Sequence, residues 1–154
     1  MPRPEPLPRP EPLPLTTARE DNSPTAALRT QILSALEGWQ LCRHLARRAK
    51  GATQRSLTHL ATACHQDARS LAAAYFLLTG VRYWPVDALT SSGTPSLWSG
   101  LRRQHQREED GERVYRRELA HTQNPTLLDL YPQMIQGCQT RCRQLRILLE
   151  HSGM

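Results

Sequence analysis

Two eight-residue stretches carry most of the side chains in this sequence that could do chemistry. Cys64-His65-Gln66-Asp67-Ala68-Arg69-Ser70-Leu71 lies over Cys138-Gln139-Thr140-Arg141-Cys142-Arg143-Gln144-Leu145, with Cys, Arg and Leu at the same spacing. If Cys64 and Cys138 face each other, their thiolates could hold a soft metal such as zinc, with Cys142 one turn away and His65 or His105 nearby. The same pair could form a redox disulfide. The plainer role for both is as small apolar fillers, common for free cysteines. The lack of any Cys-x-x-Cys pair favours that role.

Two further clusters sit close together. Glu108-Glu109-Asp110-Gly111-Glu112 is an acidic run whose outward members read as a solvated face. Beside it, Arg102, Arg103, His105 and Arg107 form a basic patch that could take phosphate or RNA, although it lacks the interleaved aromatics on which bases stack. Ser, His and Asp are all present, but there is neither a nucleophile-elbow nor a phosphate-loop glycine pattern, so hydrolase and nucleotide chemistry have no support.

Helices must position these residues. Aromatics are 5% of the chain and glycines are few, a composition that disfavours sandwiches and barrels. Three helix starts are marked by a capping side chain followed by proline: Ser23-Pro24, Thr94-Pro95 and Asn124-Pro125. The spacing predicts a first helix over 24–49, a second over 53–79 stopped by Gly80, a third over 95–121 and a fourth over 125–150, kinked at Pro132. Apolar stripes support this division. The second helix shows Leu57, Leu60, Cys64, Leu71, Tyr75 and Leu78, and the fourth shows Tyr131, Met134, Cys138, Cys142, Leu145 and Leu149. Short turns near Gly51 and Gln123 make two antiparallel hairpins. The long stretch 81–93 between them has the length to cross a bundle from end to end, with Trp84 and Trp98 as its expected anchors and Trp39 as core. The expected class is all-α, an antiparallel four-helix bundle over 23–154.

Residues 1–22 form a separate unit. The hexapeptide Arg3-Pro4-Glu5-Pro6-Leu7-Pro8 is repeated as Arg9-Pro10-Glu11-Pro12-Leu13-Pro14, which fits an extended or disordered proline-rich tail. Such a tail could dock a proline-recognising protein or simply solubilise the chain. No apolar run approaches a bilayer span and no signal core precedes the bundle, so the expected address is cytoplasmic, with reduced cysteines. The net charge of +6 comes from 19 arginines and one lysine spread over every helix among Glu and Asp, a pattern that disfavours a nucleic-acid stripe.

With this register, the chain after its tail resembles the ferritin-like superfamily, rubrerythrin-type di-iron carboxylate bundles in particular. The segment Ala73-Ala74-Tyr75-Phe76-Leu77-Leu78-Thr79-Gly80-Val81-Arg82-Tyr83-Trp84-Pro85 is similar to the end of the second helix and the following loop in bacterial members. The resemblance implies ferritin-like topology and a centre in which the first and third helices each give a Glu and the other two each give Glu-x-x-His. Carried over, the first helix offers Ala35 in place of Glu, the second Cys64 and Asp67, the third Glu108, seven residues before Tyr115, and the fourth Cys138 and Arg141. Glu108, Asp67, Cys64 and Cys138 are then remnants of the metal-ligand positions. Arg141 stays protonated and would repel a cation.

The resemblance therefore implies a degenerate metal site, with Arg141 held by Glu108, Asp67 or both as an ion pair in the core. The function it points to is a non-catalytic or repurposed bundle without a cofactor. The alternative is a metal-binding oxidoreductase or iron-handling protein whose altered centre holds iron, manganese or zinc. A second alternative is a basic nucleic-acid accessory protein. By analogy with such bundles, a homodimer is expected.

Overall fold

The computed structural model describes residues 23–90, 93 and 95–152, together with Pro4. Apart from Pro4, the proline-rich tail lies outside the described residues, as does Thr94. Four long helices and one short 3-10 turn, Val86–Ala88, make up the regular structure, and no strand occurs among the described residues. None of these helices is long and apolar enough to cross a membrane.

Each helix boundary has a local cause. Helix α1, Pro24–Arg48, starts where the Ser23 hydroxyl accepts from the Ala26 N–H at 3.0 Å and Pro24 occupies a position needing no donor. Ala49 and Lys50 are extended. Gly51 then takes φ 60°, a left-handed conformation open to glycine at little cost, and starts α2, Gly51–Thr79, two residues earlier than the sequence suggested. Gly80, at φ 73°, ends α2 by donating its N–H to the Phe76 carbonyl at 2.7 Å.

Helix α3, Leu97–His121, departs from the expected Thr94-Pro95 start. Ser96 is the cap, its hydroxyl accepting from the Ser99 N–H at 3.1 Å, while the Pro95 carbonyl accepts from Arg48 at 3.0 Å and ties the helix start to the end of α1. Helix α4, Pro125–Ser152, is capped by Asn124, whose side chain accepts from the Thr126 and Leu127 N–H groups at 2.9 and 3.4 Å. It runs through Pro132. That residue and Leu128, whose carbonyl loses its helical donor, are both exposed, so water can replace the missing bond.

The helices pack as a four-helix bundle. The hairpins α1–α2 and α3–α4 are the most intimate pairs, with α1 also against α3 and α2 against α4. Two apolar clusters fill the interior. One joins Leu28, Ile32 and Leu36 to Leu71 and Tyr75, Tyr115, and Leu127, Tyr131 and Met134. The other joins Leu41 and Leu45 to Leu57 and Leu60, Leu101, and Leu145 and Leu148. The numbering rises on one helix as it falls on its neighbour, so all adjacent helices are antiparallel. The end of α2 therefore lies at the opposite end of the bundle from the start of α3, and the connection runs the length of the molecule.

That connection is held partway by rings. Tyr83 packs on Tyr75 at 5.6 Å, and Trp84 meets His65 edge-on at 5.4 Å. His65 in turn packs on Trp39, a half-buried ring that touches both apolar clusters. Among the described residues, no ring contact ties Trp98 to the connection. Trp98 is 46% exposed, with Arg102 of its own helix over its ring.

Candidate central ion-pair site

Between the two apolar clusters the bundle carries a polar layer. Asp67 sits one turn past Cys64 on α2, Arg141 one turn past Cys138 on α4, and Glu108 in mid-α3, a spacing that turns all of them inward. Arg141 donates through Nε to Glu108 Oε2 and through Nη2 to Asp67 Oδ2, the latter at 2.5 Å. The three side chains are between 7% and 14% exposed, so the pairs are desolvated and the partners cannot separate cheaply. Ala35 of α1 lines the same layer and adds no charge.

The arrangement fixes the electrostatics. Burial raises both Asp67 and Glu108 above the ordinary carboxylate range, and the neighbouring guanidinium offsets only part of that rise. On Arg141 burial opposes the charge, but Glu108 and then Asp67 outweigh it, so the guanidinium stays ionised. One cation faces two acids, leaving the trio with one surplus negative charge. Arg107 lines the same space and favours the ionised form of Glu108, which brings the layer close to neutral.

The cysteines divide between helices. Cys64 lies against Cys42 and accepts from Gln104 Nε2 at 3.7 Å, while Cys138 accepts from Arg141 Nη2 at 3.8 Å. All four cysteines are free and buried. The Cys42 thiol, burial and Glu108 push Cys64 well above its ordinary pKa; burial and then Glu108 do the same to Cys138. Neither is a poised nucleophile. The histidines weighed as zinc ligands face elsewhere: His65 lies between Trp39 and Trp84, and His105 pairs with Glu109 at 2.8 Å. Outward members of the acidic run pair along their own helix, Asp110 with Arg113 and Glu112 with Arg116.

The side chains present do not fit a di-metal centre. The inward carboxylates are engaged by a guanidinium standing where a cation would need their lone pairs, and the remaining cavity is about 20 Å³, roughly the space of one water. Among the described residues, no group of three or more His, Cys, Asp or Glu converges in a metal-binding arrangement.

Several contributors were not singled out in the sequence. Gln104, 1% exposed, donates to Glu108 Oε1 at 3.4 Å, and Gln31, 4% exposed, accepts from the Tyr131 hydroxyl at 3.2 Å. Their signal was a second repeat: Gln31, Ala35, Gly38 and Cys42 stand at the spacing of Gln104, Glu108, Gly111 and Tyr115. Gly137 is another. A methyl group there would lie 3.0 Å from the Arg141 guanidinium, which folds back over it as long helical side chains do. No family model, curated protein or solved structure gives a significant match to this chain.

Proposed function

We propose that this chain is a ferritin-like, rubrerythrin-type bundle in which an internal ion pair has replaced the di-metal centre, leaving a non-catalytic protein. One observation carries this reading: the buried Arg141 guanidinium bound to both Glu108 and Asp67 at mid-bundle. A permanently charged Arg serves poorly as an acid or base, while it can neutralise two buried acids without metal. The long connection and the antiparallel packing of α1 with α3 and of α2 with α4 agree with that ancestry.

The test is to put the family's ligands back. Ala35→Glu, Cys64→Glu, Asp67→His, Cys138→Glu and Arg141→His together recreate the six-ligand pattern around Glu108. The expected result is a helical variant that retains about two iron or manganese ions per chain, while the unaltered protein loses both on gel filtration. If the unaltered protein keeps stoichiometric iron, manganese or zinc, the reading fails and an altered, working metal centre takes its place. A folded five-fold variant that binds no metal would remove the argument from ancestry.

A further inference from the structure

Outside the central layer, α1 and α3 part to leave an open cleft of about 440 Å³, within the range of roughly 300–1,000 Å³ usual for small-molecule sites. Its walls combine Gln31 and Ser34 of α1 with Arg103, Arg107, Val114 and Tyr115 of α3. Two polar atoms of these lining residues are shut off from solvent just behind the surface and lack a partner among the described residues: Gln31 Nε2 and Arg107 Nε. Both are donors. Native structures rarely leave such groups unpaired, because each carries the cost of its lost hydration.

The neighbouring bonds determine what is missing. The Tyr131 hydroxyl, its pKa pushed up to about 12 mainly by burial, stays protonated and donates to Gln31 Oε1, leaving the amide nitrogen over. Arg107 donates through Nη1 to Ser34 Oγ at 3.4 Å and reaches Glu37 only at 4.0 Å. Arg103 has no ionic partner among the described residues, whereas the one acid of the cleft, Asp110, is already held by Arg113 and Gln106. The cleft thus has unpaired donors and two arginines among its lining residues, and Val114 and Tyr115 supply its apolar floor.

We propose that the α1–α3 cleft binds a small organic carboxylate with an apolar body. Its carboxylate accepts from Arg107 and, after a side-chain shift that uncovers the Gln31 amide nitrogen while Oε1 keeps the Tyr131 hydroxyl, from that nitrogen. Its body covers the floor. This site shares Arg107 with the edge of the Arg141 layer but opens on the other side of it, and the inference stands whether or not the ancestry proposed above is correct.

The test uses the full chain, labelled with nitrogen-15 and titrated with sodium octanoate while helicity is monitored. Octan-1-ol supplies the body without the charge, acetate the charge without the body, and octylammonium the opposite charge. Octanoate is expected to shift the amides of Gln31, Ser34, Arg107 and Val114 and to bind about tenfold or more tightly than any of the three comparison probes. Arg107→Met should weaken it by about tenfold, and Val114→Trp, which fills the floor, should abolish the shifts. Equal affinity for octanol, shifts confined to other surfaces, or full affinity in Val114→Trp would each overturn the proposal. If Arg107→Met does not fold, the probe series and Val114→Trp decide.

Discussion

The second helix of each hairpin carries the same Cys, Arg and Leu spacing, yet α2 turns Asp67 toward the centre of the bundle where α4 turns Arg141. The residues four positions earlier differ in step. Ala63 precedes Asp67, and Gly137 precedes Arg141 and gives its longer side chain room to fold back. In the first helices of the hairpins, Ala35 stands opposite Glu108. A repeated side-chain spacing thus holds an asymmetric charge set, and the asymmetry lets the two halves attract. Identical halves would put like charges together at the centre.

The most direct way to break the comparison is to make the halves alike in charge. Arg141→Met leaves Glu108 and Asp67 buried without a cation and should cost roughly 3–5 kcal/mol at pH 7 in urea unfolding, shrinking near pH 4 as both acids take up protons. A variant as stable as the parent at pH 7 would show that the trio does not hold the hairpins together.

The next test sharpens the room given to Arg141. Gly→Ala inside a helix normally stabilises by about 1 kcal/mol. Gly137→Ala should yield that gain in the Arg141→Met background, but little or none in the parent, where the guanidinium lies 3.0 Å from the new methyl. A double-mutant cycle measures the difference. Equal effects in both backgrounds would mean that Gly137 serves something other than Arg141.

A third, smaller effect is in pH dependence. Asp67 and Glu108 are both raised in the fold, so between the ordinary carboxylate range, near 4, and their raised values the folded chain binds more protons than the unfolded one. Their contribution to stability is therefore complete below that window and is lost as pH rises through it. Asp67→Asn or Glu108→Gln leaves one acid for one guanidinium and should flatten the fall. Thermal unfolding between pH 4 and pH 8 reads the slope, and a slope unchanged in both variants would place the titration elsewhere.

Reading the sequence went furthest where the determining forces are local. Caps at Ser23 and Asn124 and the stop at Gly80 set helix ends within a residue or two, because each depends on a side chain or φ value within one turn. Thr94-Pro95 misled, since Ser96 caps equally well and lets the Pro95 carbonyl bond Arg48, a partner 47 residues away. At the centre, charge narrows the choices, because a buried guanidinium needs carboxylates. Thiols carry no such constraint. Spacing suggested that Cys64 would face Cys138, and both line the central space, but Cys64 also lies against Cys42 of α1, a contact that no pattern along α2 reveals. The orphan donors of the α1–α3 cleft were also invisible, since they depend on which atoms lack a partner.

The smallest effect concerns those thiols and separates the hairpins by reactivity. The Cys42 thiol raises Cys64 and burial raises Cys138 and Cys142, but Cys142 only to about 11, and Cys142 also lines an open cleft between α3 and α4. Since the thiolate is the nucleophile, a disulfide reagent at pH 8 should modify Cys142 first and Cys64 and Cys138 only as the bundle opens. Cys142→Ser should remove the fastest of these phases with little change in stability. If Cys64 reacts first instead, the α1–α2 half opens more readily than the α3–α4 half, and burial and thiol acidity do not set the order of reaction.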